Sequence, residues 1–184
     1  RGVKQDKSKA FEWWLKMANN GNTWASYHVV ECYEKGEGVT QNNAKAFEWQ
    51  LKMANNGDSC AMNCVGRYYS KGQGVTQDYT KAYEWYLKAA NNGNGHAMYN
   101  VGWCYENGQG VAKDKAKAFE WYLKSANNHS VDAMTKVIEW YSKGEGVRQD
   151  KTKAFKWQVK KAETGCSNSD EQFQVAECYF NGGG

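Results

Sequence analysis

The chain has 184 residues, a formal net charge of +4 at pH 7 and a mean hydropathy of −0.89, yet it carries nine Trp and twelve Tyr. This combination suits a thin repeat array, in which a few large side chains per repeat supply most of the burial. The Lys residues recur at equivalent positions and form no single basic stripe, which argues against nucleic-acid binding. No apolar run approaches the roughly 20 residues that a membrane-spanning helix needs.

Two sequence elements return with a period of 36 residues. One has the form Lys-Ala-aromatic-x-Trp and begins at Lys9, Lys45, Lys81, Lys117 and Lys153. The other is Gly-x-Gly-Val and begins at Gly36, Gly72, Gly108 and Gly144. A period between about 20 and 50 residues is the signature of stacked structural repeats. We therefore predict one array over residues 1–184, with partial repeats at 1–21 and 166–184 and full repeats at 22–57, 58–93, 94–129 and 130–165.

Each repeat is predicted to contain two helices, called A and B, because apolar residues follow helical spacing in both halves. In chain order the predicted spans are B 7–19, A 23–35, B 43–55, A 59–71, B 79–91, A 95–107, B 115–127, A 131–143, B 151–163 and A about 170–181.

The boundaries of these helices follow from their flanking residues. A helices are preceded by residues whose side-chain oxygen can accept an unpaired backbone N–H, namely Asn22, Asp58, Asn94, Ser130 and Asn168. B helices are preceded by the same residue types at Asp6, Asn42, Asp78, Asp114 and Asp150. Glycines that can adopt a left-handed conformation end the helices, at Gly36, Gly72, Gly108, Gly144 and Gly182 for A and at Gly21, Gly57, Gly93 and Gly165 for B.

Two repeats depart from this pattern. His129 stands where a glycine is expected, which predicts a strained turn. A two-residue insertion lies near Cys166 and Ser167, and Glu171 stands where the other A helices have an alanine. Both features predict that the last helix packs differently from the other A helices.

A ladder of tryptophans recurs in the B helices. It consists of Trp13, Trp49, Trp85, Trp121 and Trp157. Large aromatic rings at one repeated position are expected to fill the gap between successive units. On this interpretation, removal of Trp85 would cost about 3–5 kcal/mol.

The chain resembles the Sel1-like repeats, relatives of the tetratricopeptide repeats. The family pattern is Ala-x3-Leu-Gly-x2-Tyr-x2-Gly-x-Gly-Val followed by Asp-x2-Lys-Ala-x2-Trp-x3-Ala-Ala-x2-Gly. It is met here, with Val in place of Leu, by Ala97, Val101, Gly102, Tyr105, Gly108, Gly110, Val111, Asp114, Lys117, Ala118, Trp121 and Ala126. The resemblance implies an all-α fold, a right-handed α/α superhelix, and an adaptor that holds other proteins together. Members serve in ER-associated degradation, chitin synthase activation and bacterial signalling, so the resemblance does not choose a partner.

Residues that differ between repeats, but lie on one stripe of helix A, are candidates for recognition. By resemblance to tetratricopeptide arrays, helix A would line a concave groove. The predicted partner-binding set is Trp24, Tyr27, His28, Glu31, Asn63, Cys64, Arg67, His96, Tyr99, Asn100, Trp103, Asp132, Thr135, Lys136 and Glu139. Aromatic residues beside charged and amide groups make a suitable peptide-binding surface. The alternative is that this stripe is ordinary solvated helix surface.

Six cysteines raise the question of disulfides, because one branch of the family is secreted, cysteine-rich and linked to penicillin binding or β-lactamase activity. That branch places a pair of cysteines in every repeat, and this chain does not. Cys32, Cys104 and Cys178 share one repeat position and are interpreted as small core residues, whereas Cys60 and Cys64 lie one helical turn apart. Reduced thiols and a cytoplasmic location are therefore expected, with the ER lumen or secretion as alternatives.

No catalytic, metal or cofactor site is predicted. The three histidines are scattered, and no Ser or Cys nucleophile has an identifiable base. The sequence therefore predicts a non-enzymatic scaffold that binds a protein or peptide, is not inserted in a membrane, and belongs to a longer chain with further repeats. The alternatives are a secreted protein of the penicillin-binding or β-lactamase-like class and a passive spacer in a larger multidomain protein, such as a kinase fusion.

Overall fold

A computed structural model describes residues 5–164 and 169–181, and all ten secondary-structure elements in those ranges are α-helices. They are α1 (Lys7–Asn19), α2 (Thr23–Lys35), α3 (Asn43–Asn55), α4 (Ser59–Lys71), α5 (Tyr79–Asn91), α6 (Gly95–Asn107), α7 (Lys115–Asn127), α8 (Val131–Lys143), α9 (Lys151–Glu163) and α10 (Ser169–Asn181). The predicted all-α repeat fold is confirmed, and the predicted bounds of α1 to α9 match those of the structure. The last helix begins one residue earlier than predicted.

The chain forms two compact units, divided between Asn92 and Gly93. Within the first unit, each of α1 to α4 packs against the helix that follows it. Within the second unit, each of α6 to α9 packs against the helix that follows it. Even-numbered helices are the A helices of the repeat and odd-numbered helices are the B helices.

The helices begin where their caps predict. From α1 to α9, the cap side chain accepts the backbone N–H of the residue three positions later. This bond pairs one of the N–H groups that a helix N-terminus otherwise leaves unsatisfied. The caps of α1 to α9 are therefore confirmed. The proposed cap Asn168, the insertion at Cys166 and Ser167, Gly165, Gly182 and the side chain of Glu171 lie outside the described residues.

The acidic caps make the stability of the B helices sensitive to acid. The backbone N–H of Lys81 lowers the pKa of Asp78, and equivalent bonds lower the pKa of Asp114 and Asp150. A carboxylate whose pKa is lowered by folding stabilises the fold above its unfolded-state pKa, and this contribution is lost as the pH falls through its folded-state pKa. We expect the triple variant Asp78→Asn, Asp114→Asn, Asp150→Asn to lose stability less steeply than the wild type below about pH 4 in urea unfolding.

Asn42 provides the matched control for this pH dependence, because it already caps α3 with a neutral side chain. Asn42→Asp should make the loss of stability in acid steeper than in the wild type. Identical acid profiles for all three proteins would contradict the role of the cap charges.

Left-handed residues end the helices as predicted. Gly36, Gly72, Gly108 and Gly144 end the A helices with φ between 66° and 76°. His129 adopts φ 63° and is the one non-glycine residue with positive φ in the described ranges. The predicted strained turn is therefore confirmed.

The A helices are buried along a stripe of small residues that is the same in successive repeats. Its members are completely buried and are Ala25, Val29, Ala61, Val65, Ala97, Val101, Ala133 and Val137. Small side chains at these positions allow the A helices to pack closely against their neighbours. The opposite stripe is left for residues that vary between repeats.

The prediction of a buried tryptophan ladder is wrong. Trp13 is 63% exposed, and Trp49, Trp85, Trp121 and Trp157 are only half-buried. Each indole lies under the ammonium of the lysine three residues later, at 4.2–5.0 Å from the ring centroid.

The aromatic residues that fill the core are instead neighbours of the tryptophans in the B helices. Tyr86 is 4% exposed, Tyr122 is completely buried, and Phe47 and Phe119 are 9% and 6% exposed. In α3 the buried residues stand at offsets 0, 1, 4, 7 and 8 from Ala46. At about 100° per residue, the ladder position at offset 3 lies about 100° from the centre of this arc. The tryptophans therefore lie at the edge of the buried stripe.

Candidate partner-binding face

The variable stripe of the A helices carries all fifteen residues predicted to bind a partner. The structure places them on α2, α4, α6 and α8. They are not equally available to a partner, because some are engaged in contacts within the protein.

An aromatic cluster joins α1 to α2 in the first unit. Trp24 is 59% exposed, and its ring lies 5.0 Å from that of Trp14 and 4.1 Å from that of His28, edge-to-face in both cases. The imidazole of His28 stacks on Trp14 at 4.6 Å. This packing holds the Trp24 ring in place while leaving most of its surface open.

Trp14 was not among the predicted residues. Its position in the repeat holds Gln50, Tyr86 and Tyr122 elsewhere, so its variability was the signal that could have identified it. The prediction considered only the A helices and therefore missed a B-helix residue that supports the same face.

The rest of the predicted set on α2 is partly engaged. The hydroxyl of Tyr27 donates to the Asp58 carboxylate at 2.9 Å, and burial, with the contribution of Asp58, raises the pKa of that phenol. Glu31 pairs with Lys35 at 2.5 Å, and the pKa of the Glu31 carboxyl is lowered mainly by this bond. Tyr27 therefore links α2 to the cap of α4, whereas Glu31 is a surface ion pair.

Two residues of the α4 set, Cys64 and Arg67, line a cavity in the first unit. Asn63 and Cys64 are half-buried, Arg67 is exposed, and burial raises the pKa of the Cys64 thiol. The cavity has a volume of about 150 Å³ and is lined by Glu34, Gln50, Cys64, Arg67, Tyr68, Lys71 and Gln73. It is smaller than the roughly 300–1,000 Å³ typical of sites for cofactors and drug-sized ligands.

The α6 set in the second unit contains one open aromatic residue. Trp103 is 36% exposed and His96 is exposed, whereas Asn100 is half-buried. Tyr99 packs on Tyr122 with ring centroids 5.1 Å apart, and burial raises the pKa of the Tyr99 phenol. Tyr99 therefore contributes to the core as well as to the face.

The α8 set is largely polar. Asp132 and Thr135 are exposed, and the Thr135 hydroxyl donates to a backbone carbonyl of the preceding turn at 3.0 Å. The ammonium of Lys136 lies 3.1 Å from the Glu106 carboxylate, and Glu139 pairs with Lys143 at 2.6 Å. The exposed members of the set without an ion pair in the described ranges are thus Trp24, Arg67, His96, Trp103, Asp132 and Thr135.

Metal ligands, membrane-spanning helices and cysteines are the other features that bear on function in the described part of the chain. The described residues contain no group of three or more His, Cys, Asp or Glu side chains that could hold a metal ion. They also contain no helix that is long and apolar enough to cross a membrane. The five described cysteines are free, and Cys104 is buried as its core position predicts, whereas Cys32 and Cys178 are half-buried.

Comparisons with known proteins agree with the fold. The family model for the Sel1 repeat matches residues 1–22, 25–58, 61–94, 95–130, 132–157 and 172–184. No curated protein matches the chain in sequence.

Several solved structures are similar to the chain. One is a protective antigen of uropathogenic Escherichia coli strains that displays an SLR fold, with 34% identity, a TM-score of 0.84 and a match to 99% of this chain but 38% of the antigen. A Sel1 repeat protein from Oxalobacter formigenes has 30% identity and a TM-score of 0.81 over 97% of this chain and 72% of its own. Cysteine-rich protein B of Helicobacter pylori, at 24% identity, matches 73% of this chain and 97% of its own with a TM-score of 0.57, which shows a shared fold alone.

Proposed function

The chain belongs to the Sel1 repeat family, and from that premise we propose that it is a non-catalytic scaffold whose A helices bind a peptide or a segment of a partner protein. Sel1 repeat proteins generally bind proteins. The chain spans 38% of the length of the E. coli antigen that it resembles.

The observation that carries the proposal is the exposed indole of Trp24. It is 59% exposed on the variable stripe of α2, although Trp14 and His28 hold its position. A rigid aromatic side chain that is pre-ordered in the free protein loses little conformational entropy when a partner covers it. Tryptophan is also among the residues that most often dominate binding energy at interfaces.

Polar residues on the variable stripe, in addition to the exposed aromatic residues, suit a peptide better than a purely apolar surface would. Arg67, His96 and Asp132 are exposed on the same stripe of their helices. Such groups can pair with the main chain and side chains of a peptide at the rim of an interface. The proposal therefore assigns anchoring to the aromatic residues and specificity to the charged ones.

We also propose that the protein works in a reducing compartment such as the cytoplasm. In support, burial raises the pKa of the Cys104 thiol to about 12, so this side chain behaves as a protonated apolar core residue. Cys60 and Cys64 lie one turn apart on α4, where the Cβ atoms are about 5–6 Å apart, too far for a disulfide.

The first experiment identifies a partner by affinity capture with mass spectrometry and then titrates the purified partner against variants. Trp24→Ala is expected to weaken binding at least about tenfold, because loss of a tryptophan anchor removes about 2 kcal/mol or more. Trp13→Ala is the matched control, since Trp13 is 63% exposed but lies on the B helix α1. Equal binding by the Trp24 variant and the wild type would overturn the assignment of this face.

A further inference from the structure

The cavity between α2, α3 and α4 contains a buried polar atom that has no partner. The Gln50 side chain is 4% exposed and lines the cavity, and its Oε1 atom has no hydrogen-bond partner in the described part of the chain. Most buried polar atoms in folded proteins are hydrogen-bonded, so an unpaired one that lines a cavity indicates a missing donor. At the floor of the cavity, Gln50 Oε1 can therefore accept a hydrogen bond from an N–H or O–H group of a ligand.

The rim of the cavity carries two positive charges that are one helical turn apart. Arg67 and Lys71 both line it, and neither forms an ion pair within the described ranges. In α2 and α8 the equivalent lysine pairs with a glutamate one turn earlier, at 2.5 Å and 2.6 Å respectively. Arg67 replaces that glutamate in α4, and like charges at this spacing destabilise a helix. Glu34 places one negative charge in the same lining, so a carboxylate from outside the chain would compensate the second cation, with the guanidinium able to bind it through two hydrogen bonds.

The equivalent position in the second unit, around Glu106, has hydrogen-bond donors that are missing from this cavity. There the Tyr122 hydroxyl donates to Glu106, and the Lys136 ammonium lies 3.1 Å from the same carboxylate. In the first unit Gln50 and Cys64 occupy the positions of that tyrosine and lysine, and both are shorter side chains. In the first unit Tyr68 is the chain's own donor to Glu34, while the shorter side chains of Gln50 and Cys64 leave a cavity beside it.

One carboxylate already lines the cavity, and its position is consistent with a donor at the floor. Glu34 accepts the Tyr68 hydroxyl at 2.5 Å through one oxygen, and its second oxygen can accept a further donor. Acceptors thus lie at Gln50 and Glu34, whereas the cations lie at Arg67 and Lys71. A ligand that presents an N–H group and a carboxylate in a single residue matches both kinds of group in the lining.

We infer that this cavity is a subsite for one acidic residue of a partner peptide, whose carboxylate pairs with Arg67 and Lys71 while an N–H of the same residue donates to Gln50 Oε1. The inference rests on the proposed function, because Cys64 and Arg67 belong to the variable stripe. The volume of about 150 Å³ is suited to a single side chain rather than to a whole cofactor. The first unit would then select acidic segments, while its exposed aromatic residues anchor them.

The test uses N-acetyl-L-aspartate N-methylamide as the probe, which contains both the N–H groups and the carboxylate. Nitrogen-15 NMR on the full chain follows the Gln50 side-chain amide and the Arg67 Nε–H during the titration. We expect saturable shifts at both groups with a dissociation constant on the order of 1 mM. The uncharged N-acetyl-L-asparagine N-methylamide should bind at least about tenfold more weakly, because it lacks the charge that Arg67 recognises.

Two variants separate the subsite from general electrostatic attraction. Arg67→Glu restores the residue type found at the equivalent position of α2 and α8, and it should weaken probe binding at least about tenfold. Arg148→Glu makes the same charge change at an exposed site of the second unit and should bind the probe as the wild type does. Equal effects of the two substitutions would overturn the subsite.

A third variant fills the cavity. Val30→Gly with Gln50→Tyr copies the pair Gly66 and Tyr86 of the next repeat, where a Cβ on the glycine would lie 2.5 Å from the tyrosine ring. This variant should keep its helical content and lose the probe-induced shift of Arg67. Retained binding would overturn the inference, as would tighter binding of free L-aspartate than of the blocked probe.

The outcome also distinguishes this inference from the proposed function. If Trp24→Ala weakens partner binding but the probe does not bind, the acidic subsite is wrong and the scaffold proposal stands. If partner binding is unchanged both by Trp24→Ala and by Arg67→Glu, the acidic subsite and the proposed partner-binding face are both wrong.

Discussion

Replacing Tyr122 with alanine is expected to lower the free energy of unfolding by about 3–5 kcal/mol, the range for truncation of a fully buried aromatic residue. The side chain is completely buried, its ring meets Trp140 edge-to-face at 5.5 Å, and its hydroxyl donates to Glu106. The substitution would leave a cavity and remove one of the donors to the Glu106 carboxylate. Urea unfolding followed by circular dichroism and by tryptophan fluorescence measures the change.

Trp121→Ala is the control for that experiment. Trp121 precedes Tyr122 in α7 and is larger, but it is half-buried under the Lys124 ammonium, 4.2 Å from the ring centroid. We expect it to cost less than about 2 kcal/mol, because much of its surface stays in contact with solvent in the native state. A larger loss for Trp121→Ala than for Tyr122→Ala would restore the tryptophan ladder as the main packing element.

Replacing Gly74 with alanine is expected to lower the free energy of unfolding by at least about 3 kcal/mol, because it combines backbone strain with a steric clash. Gly74 has φ +70°, and an added Cβ would lie 2.2 Å from the carbonyl oxygen of Asn43, the first residue of α3. Backbone atoms at a helix start cannot move aside as a flexible side chain can. Thermal and urea unfolding of the variant would measure the loss.

Gly57→Ala separates these two contributions. Gly57 lies in the same unit with φ +93°, but an added Cβ there would meet no atom within 4 Å. Only the strain of a left-handed alanine remains, which is about 1–2 kcal/mol. Equal losses at Gly57 and Gly74 would mean that close approach of the loop to α3 contributes nothing.

The Gly74 result would also explain the second glycine of the Gly-x-Gly element. The first glycine ends helix A, and its role follows from the local sequence pattern. That pattern gives no reason for the second glycine, because the reason is a contact with residues about 30 positions earlier in the chain. Gly38 and Gly146 make the same approach, to Lys7 and Lys115 respectively.

The predicted site residues illustrate the limit of comparing repeats with one another. Variability correctly placed Trp24 and Arg67 on an exposed stripe, because the helical period fixes which residues share a face. It could not show that Tyr27 is bonded to Asp58 or that Lys136 is bonded to Glu106. Those contacts join different helices, so they depend on how the helices pack.

The sequence by itself determined the repeat period, the limits of α1 to α9 and the turn at His129, because caps, glycines and apolar spacing act within a few residues. Only the tertiary structure decided that Tyr122 rather than Trp121 enters the core, and that Gln50 lines an open cavity. Both outcomes depend on the size of the side chain on the facing helix: Gly102 makes room for the Tyr122 ring. Helix formation depends on residues close together in sequence, whereas the burial of a side chain depends on residues of other helices that are distant in sequence.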